Sequence, residues 1–257
     1  MGVDRMKRPI KTLAAALFWG FAWQAAYLLL NRDILLASPL QVAARLLELS
    51  SLQSFWTSAG LSVLRVACGF VLGVVAGVIL AALTSAFPFA RVIFEPALTV
   101  IRATPVSSFV LLALIFLSSG PVPVLMAFLM VLPIVWSNVS AGISAADSDT
   151  LEMARAFGMG RGRMVRYIYI PSLMPYFIAA CRTAIGLSWK AGIAAEVLGT
   201  PRFSIGTEIY NAKIYLETVD LFAWTAVVII LSLIFEKAFV GLISRFKRGE
   251  MGVNAGN

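Results

Sequence analysis

Residues 103–146 read ATPVSSFVLLALIFLSSGPVPVLMAFLMVLPIVWSNVSAGISAA, 44 positions without a charged side chain. A helix crosses the hydrocarbon of a bilayer with about 20 apolar residues, at about 1.5 Å each. The run is therefore too long for one crossing. Ser118-Ser119-Gly120-Pro121, followed by Pro123, breaks it. Two spans joined by a tight turn are expected, over 94–117 and 122–142.

Outward from this pair, four more apolar stretches reach spanning length: 12–31, 64–87, 171–193 and 221–243. Arg182 and Lys190 interrupt the third of these. Composition agrees with an all-α membrane protein of about six transmembrane helices, forming one domain over 1–257. Of 257 residues, 60% are hydrophobic and 13% charged, about half the usual ~25% charge of a soluble domain. Mean hydropathy is +0.89. Soluble, disordered and disulfide-rich classes are excluded. The first stretch is longer than a secretory signal core and lacks a clean cleavage site, so it is read as an uncleaved helix.

Absences restrict the chemistry. With no histidine, zinc-protease motifs and histidine proton relays are ruled out, and no metal site is expected. Cys68 and Cys181 read as small core side chains. There is no GxxxxGK[ST] loop to cradle nucleotide phosphates, so no cofactor is expected on this chain. The net charge of +8 reads as the positive-inside rule rather than nucleic-acid binding. Twelve Lys and Arg fall on one side of the six spans, in the amino-terminal segment, at Arg91, over 155–166 and at the carboxyl end. Only Arg32, Arg45, Arg202 and Lys213 fall on the other. Both termini are therefore expected in the cytoplasm.

Gly69, Gly73 and Gly77 place a small-residue groove on the second span, suited to packing within the chain or to a subunit interface. Ser38-Pro39 signals a helix start, with Val42, Ala43, Leu46 and Leu47 on one face. Ile205, Ile209, Ala212 and Leu216 suggest another short helix before the last span.

The segment 147–171, on the positive side, reads DSDTLEMARAFGMGRGRMVRYIYIP. Asp149 with Glu152 forms a capping-box pattern, and Gly158 stands where a helix ends in a left-handed residue. A helix of about two turns is expected, with Phe157 exposed beside it. Such a short, capped, half-apolar helix suits insertion into a groove of another protein.

Glu152-Met153-Ala154, three residues, Gly158, nine residues, then Ile168-Tyr169-Ile170-Pro171 resembles the EAA loop of permease subunits of bacterial ABC importers. Met153 and Ile170 stand where that pattern has Ala and Leu. Further similarity runs over about 35–243. It includes Ser62 to Phe70, Arg102-Ala-Thr-Pro105, Pro175, Arg182, Trp189, Glu196 and Gly206, and points to the nitrate, sulfonate and taurine group. The resemblance implies a type I ABC importer permease bundle in the bacterial inner membrane. Glu152, Ala154, Phe157, Gly158, Ile168 and Pro171 would couple it to the ATPase. The chain would itself be non-catalytic, with ATP and Mg used by two cytoplasmic ATP-binding subunits. The remaining implied partners are a second copy of the chain and an extracytoplasmic substrate-binding protein.

Arg182, Trp189 and Glu196 are spaced by seven and fall on nearly one helix face, with Lys190 about 80° away. An arginine at the centre of a span costs about 2.5–3.5 kcal/mol on insertion scales. These four residues are candidates for a cationic translocation path, or for a salt-bridge network that holds helices together. A small anion such as a sulfonate, taurine or nitrate is the first expected substrate, and a vitamin precursor such as a thiamine pyrimidine the second. An ATP-independent secondary carrier is the competing class. It would need an acidic site at mid-membrane, and no span supplies one.

Overall fold

The computed structural model describes residues 3–30, 32 and 34–253, and the described residues form helices joined by turns, without strands. The helices in chain order are α1 (Val3–Leu30), α2 (Pro39–Ser50), α3 (Gln53–Ala86), α4 (Pro88–Ala103), α5 (Val106–Phe116), α6 (Val122–Ser144), α7 (Ser148–Ala156), α8 (Arg161–Met164), α9 (Ile170–Gly199), α10 (Ile205–Ile214) and α11 (Thr218–Val253). One π-helical turn, Val165–Tyr169, joins α8 to α9.

The centre is a sandwich of α3, α6 and α9. Its close approach is set by the glycine groove. A Cβ at Gly69 would stand 2.4 Å from the Val124 carbonyl oxygen, one at Gly73 2.6 Å from Val131 Cβ, and one at Gly77 2.8 Å from Val135 Cβ. The groove thus receives α6 of the same chain, and the two readings of Gly69, Gly73 and Gly77 resolve in favour of internal packing. Gly73→Leu is expected to force α3 and α6 apart, costing at least the ~1–3 kcal/mol of ordinary overpacking. Gly60→Leu, on the same helix but facing open space, is the control. The yield of monodisperse protein on size exclusion in detergent should fall for Gly73→Leu alone.

By length and hydropathy, four helical segments qualify as spans among the described residues, or five if α4 and α5 are counted as one broken span. Leu17–Leu30 of α1 is apolar but shorter. It touches the bundle through Trp23, whose indole N–H donates to the Ala37 carbonyl at 2.9 Å. The span expected over 94–117 is not one helix, because α4 and α5 meet at 107°. Pro105 causes the break. It lacks an N–H to continue α4 and holds Thr104 in the extended region, at φ −83° and ψ 131°. The turn at 117–121 forms where Ser118-Ser119-Gly120-Pro121 indicated.

Three buried clusters set the packing. Phe55, Val66, Trp189, Ile205 and Trp224 join α3, α9, α10 and α11. Phe70, Val135, Trp136, Cys181 and Ile185 fill the opposite half. Val110, Val122, Met126 and Ala195 seat α5. Cys181 is a core side chain as expected, whereas Cys68 is exposed. It falls on the outward stripe of α3 with Leu64, Leu72 and Val75.

At one end, α2 starts at Ser38 with a complete capping box to Gln41 and Pro39 in its first turn. Its buried face is Val42 and Leu49, while Ala43 and Leu47 are exposed. Arg45 grips Asp220 of α11 through two hydrogen bonds of 2.6 and 2.8 Å. Asp220, with Glu48, holds this guanidinium still more firmly protonated than usual. Leu216 lies beyond α10 and is exposed.

Candidate functional site

The 147–171 segment folds as α7, a tight turn, α8 and the π turn, at the end of the bundle opposite α2 and α10. The helix start differs from the Asp149 box. Asp147 is the N-cap, and its carboxylate accepts from the Thr150 backbone N–H at 3.1 Å and from the Thr150 hydroxyl. The hydroxyl, and then the backbone N–H, hold the Asp147 carboxyl below the usual carboxylate range. The earlier start puts Asp149 in the first turn, where its charge complements the helix dipole. Glu152 is exposed and takes no part in capping.

The helix end follows its sequence signal. Gly158 adopts φ +69°. Its N–H donates to the Arg155 carbonyl at 3.0 Å, and the Met159 N–H donates to the Ala154 carbonyl at 2.9 Å. That pair of bonds is the Schellman closure. Ala154 is buried, while Phe157 is 84% exposed. A rigid two-turn helix therefore presents a bare aromatic ring beside a fixed turn. Ile168 is half-buried and Pro171 exposed.

Pro171 does not mark a helix boundary. Helical structure runs from Arg161 to Gly199, and the π turn sits just before Pro171. A proline at 171 has no N–H for the Tyr167 carbonyl and crowds it, and a wider turn relieves both problems.

Arg182, Trp189, Lys190 and Glu196 all lie on α9 but in two environments. Trp189 and Glu196 are buried, Glu196 completely. Arg182 and Lys190 are exposed, and neither has an ion-pair partner among the described residues. Arg182 and Trp189 do share a face by angle. However, α9 is covered near Trp189 by Val66, Trp224 and Phe235 and uncovered about 10 Å away at Arg182.

Glu196 forms a network whose partners sequence reading did not identify. Ser62 donates its hydroxyl to Glu196 Oε2 at 2.7 Å, and the Gly206 N–H reaches the same oxygen at 3.2 Å. Arg65 Nη1 donates to Glu196 Oε1 at 3.2 Å. The same guanidinium reaches the carbonyls of Phe203 at 3.1 Å and Arg202 at 3.0 Å. The Ser62 hydroxyl also accepts from the Ile205 N–H at 2.9 Å. These bonds fasten the start of α10 to α3 and α9. The approach is close enough that a Cβ at Gly206 would fall 2.3 Å from Glu196 Cβ. Spacing alone could not reveal this, since Arg65 and Glu196 are separated by 131 positions. The available signal was an arginine in an otherwise uncharged span.

At the α4–α5 break, the Arg102 guanidinium lies 5.6 Å from the centre of the Trp136 ring. The Trp136 indole N–H donates to Thr84 Oγ1 at 2.9 Å. Two features thus have chemistry to offer: a projecting, capped helix at one end, and exposed cations along α9 with no ion-pair partner among the described residues. No group of three or more His, Cys, Asp or Glu able to hold a metal occurs among the described residues.

Comparison with known proteins places these features in context. Residues 73–248 match the family described as binding-protein-dependent transport system inner membrane component. The chain is 25% identical to the taurine transport system permease protein of Escherichia coli (strain K12), over 88% of this chain and 84% of that one. It is 26% identical to a nitrate import permease protein of Synechococcus elongatus, over 68% of this chain and 67% of that one. Identity to a bicarbonate transport system permease protein of the same organism is 27%, over 62% of this chain and 57% of that one. A solved amino acid ABC transporter with histidines shares the fold, with TM-score 0.51 and 21% identity, over 74% of this chain and 89% of that one.

Proposed function

Because the chain belongs to the binding-protein-dependent transport system inner membrane components, we propose that it forms the translocation path of an ATP-driven importer for a small anion. The observation that carries the reading is α7, a Schellman-closed helix that buries Ala154 and displays Phe157. An ATPase subunit that receives this helix in a groove can move the bundle through it. The chain supplies no phosphate loop, so ATP and Mg belong to that partner, and this chain binds no cofactor. Two such subunits and an extracytoplasmic binding protein complete the assembly, with both termini on the ATPase side and α1 as the first of six spans.

Taurine, nitrate and bicarbonate are named for three relatives, and each is a small molecule bearing an anionic group. The exposed, unpaired Arg182 and Lys190 support the same class here. A guanidinium facing lipid at membrane depth is costly. A second copy of the chain, set against the open face of α9, would enclose both cations in a wet path. There they attract anions over long range.

The test is uptake into proteoliposomes containing the chain and its ATPase subunits, with taurine, nitrate and bicarbonate as candidates. Uptake should require ATP and the ATPase subunits. Arg182→Gln should lower it about tenfold, the value of one hydrogen bond to a charged group. Transport that persists without the ATPase would overturn the reading in favour of a secondary carrier.

A further inference from the structure

A cavity of about 590 Å3 opens beside α7, lined by Arg155, Met159, Arg161, Met164, Val165 and Tyr169. We propose that it is a phosphate-ester site, filled by an anionic phospholipid headgroup or by free phosphate, which braces the coupling helix against the base of α9. The proposal rests on the reading of 147–171 as the ATPase-facing loop.

Four observations converge on it. Arg155, near the end of α7, and Arg161, at the start of α8, both line one cavity. Neither has a carboxylate partner among the described residues, where every ion pair lies elsewhere. A pair of planar guanidiniums matches the oxygen fork of a phosphate, and Tyr169 adds a phenol donor. The remaining wall is apolar, from Met159, Val165 and the buried Met164. Such a wall suits the glycerol and first methylenes of a lipid. Finally, Val165 and Tyr169 are the first and last residues of the π turn, a local widening that often accompanies function.

The cavity's place in the chain also suits a headgroup. It sits between an exposed loop helix and the root of a span, in a stretch from 155 to 166 that carries four arginines and no acid. Cationic clusters at that level attract anionic lipids. An occupant held by Arg155 on one side and Arg161 and Tyr169 on the other would tie α7 to α9 across the Gly158–Gly160 turn.

The experiment uses the chain purified with its ATPase subunits in detergent. Dioleoylphosphatidylglycerol retention is read by native mass spectrometry, and inorganic phosphate is titrated in lipid-free detergent by thermal unfolding. Wild type is expected to retain the lipid or to be stabilised by phosphate. Arg161→Gln, outside the docking helix, should weaken binding about tenfold, and the Arg155→Gln/Arg161→Gln pair further. Arg163→Gln removes the same charge from the same loop without lining the cavity, and should change nothing. Lipid retention without a phosphate response identifies the headgroup as the source; a phosphate response identifies the free anion.

Binding of neither probe overturns the proposal, as does equal binding by the Arg161 variant. Loss of the ATPase subunits from the Arg161 variant with probe binding unchanged also overturns it, since the arginine would then serve acidic groups of the partner. ATP-driven uptake by the wild-type complex, measured in the same preparation, stands or falls separately. A failed cavity therefore leaves the importer reading intact.

Discussion

Gly158→Val is expected to cut coupled uptake at least about tenfold while the membrane bundle stays folded. Crowding is not the reason, since a side chain at 158 would meet nothing within 4 Å. Conformation is the reason. The residue holds φ +69°, a region that costs an L-residue about 1–2 kcal/mol and a β-branched one more. A valine relieves that cost by leaving the left-handed well. It then breaks the bonds from Gly158 to Arg155 and from Met159 to Ala154. Phe157 and the last turn of α7 lose their fixed aim, and the partner no longer receives a preorganised helix.

Uptake should fall at least about tenfold, the rate equivalent of the strain. Gly158→Asn should retain most of it, because asparagine tolerates the left-handed region. Both variants should elute as wild type on size exclusion and fail or succeed only in ATP-driven uptake. Undiminished uptake by the valine variant would remove the docking helix from the mechanism.

The second large effect is at Arg65. Arg65→Ala leaves the fully buried Glu196 carboxylate with Ser62 and the Gly206 N–H but no positive charge. It also strips the Arg202 and Phe203 carbonyls of their donor. Breaking one side of a buried pair costs about 3–5 kcal/mol, comparable with the whole stability of many domains. The start of α10 is expected to detach from α3 and α9. Thermal unfolding of the detergent-purified protein should show a large fall in midpoint. Combining Arg65→Ala with Glu196→Gln should recover part of it, since the amide oxygen still accepts from Ser62 and Gly206 while the unpaired charge is gone. A double variant as unstable as the single one would mean that the pair's charge is immaterial and that only the lost carbonyl donor matters.

Much of α7 is legible in the sequence. Gly158 marked its left-handed end and Phe157 its exposed ring, because a helix terminus is decided by a few neighbouring residues. Ser38-Pro39 announced α2 for the same reason, and Ser118 to Pro121 announced the turn before α6. Local rules also erred locally. Asp147, rather than Asp149, caps α7, because Thr150 offers it both a backbone N–H and a hydroxyl. The break at Thr104–Pro105 was hidden inside an unbroken apolar run, since hydropathy is blind to the direction in which a chain travels.

Composition, charge asymmetry and helix-end chemistry by themselves determined that this chain is a helical membrane protein with a projecting loop helix on its positive side. These properties follow from transfer to lipid and from hydrogen bonding within a few residues. Only the tertiary structure decided that Gly69, Gly73 and Gly77 receive α6. It alone decided that Glu196 answers to Arg65 and Ser62, and that Arg182 stands uncovered on the face where Trp189 is buried. Each of those outcomes depends on which helix lies alongside, and a helical period fixes the face a residue occupies but not what is packed against it.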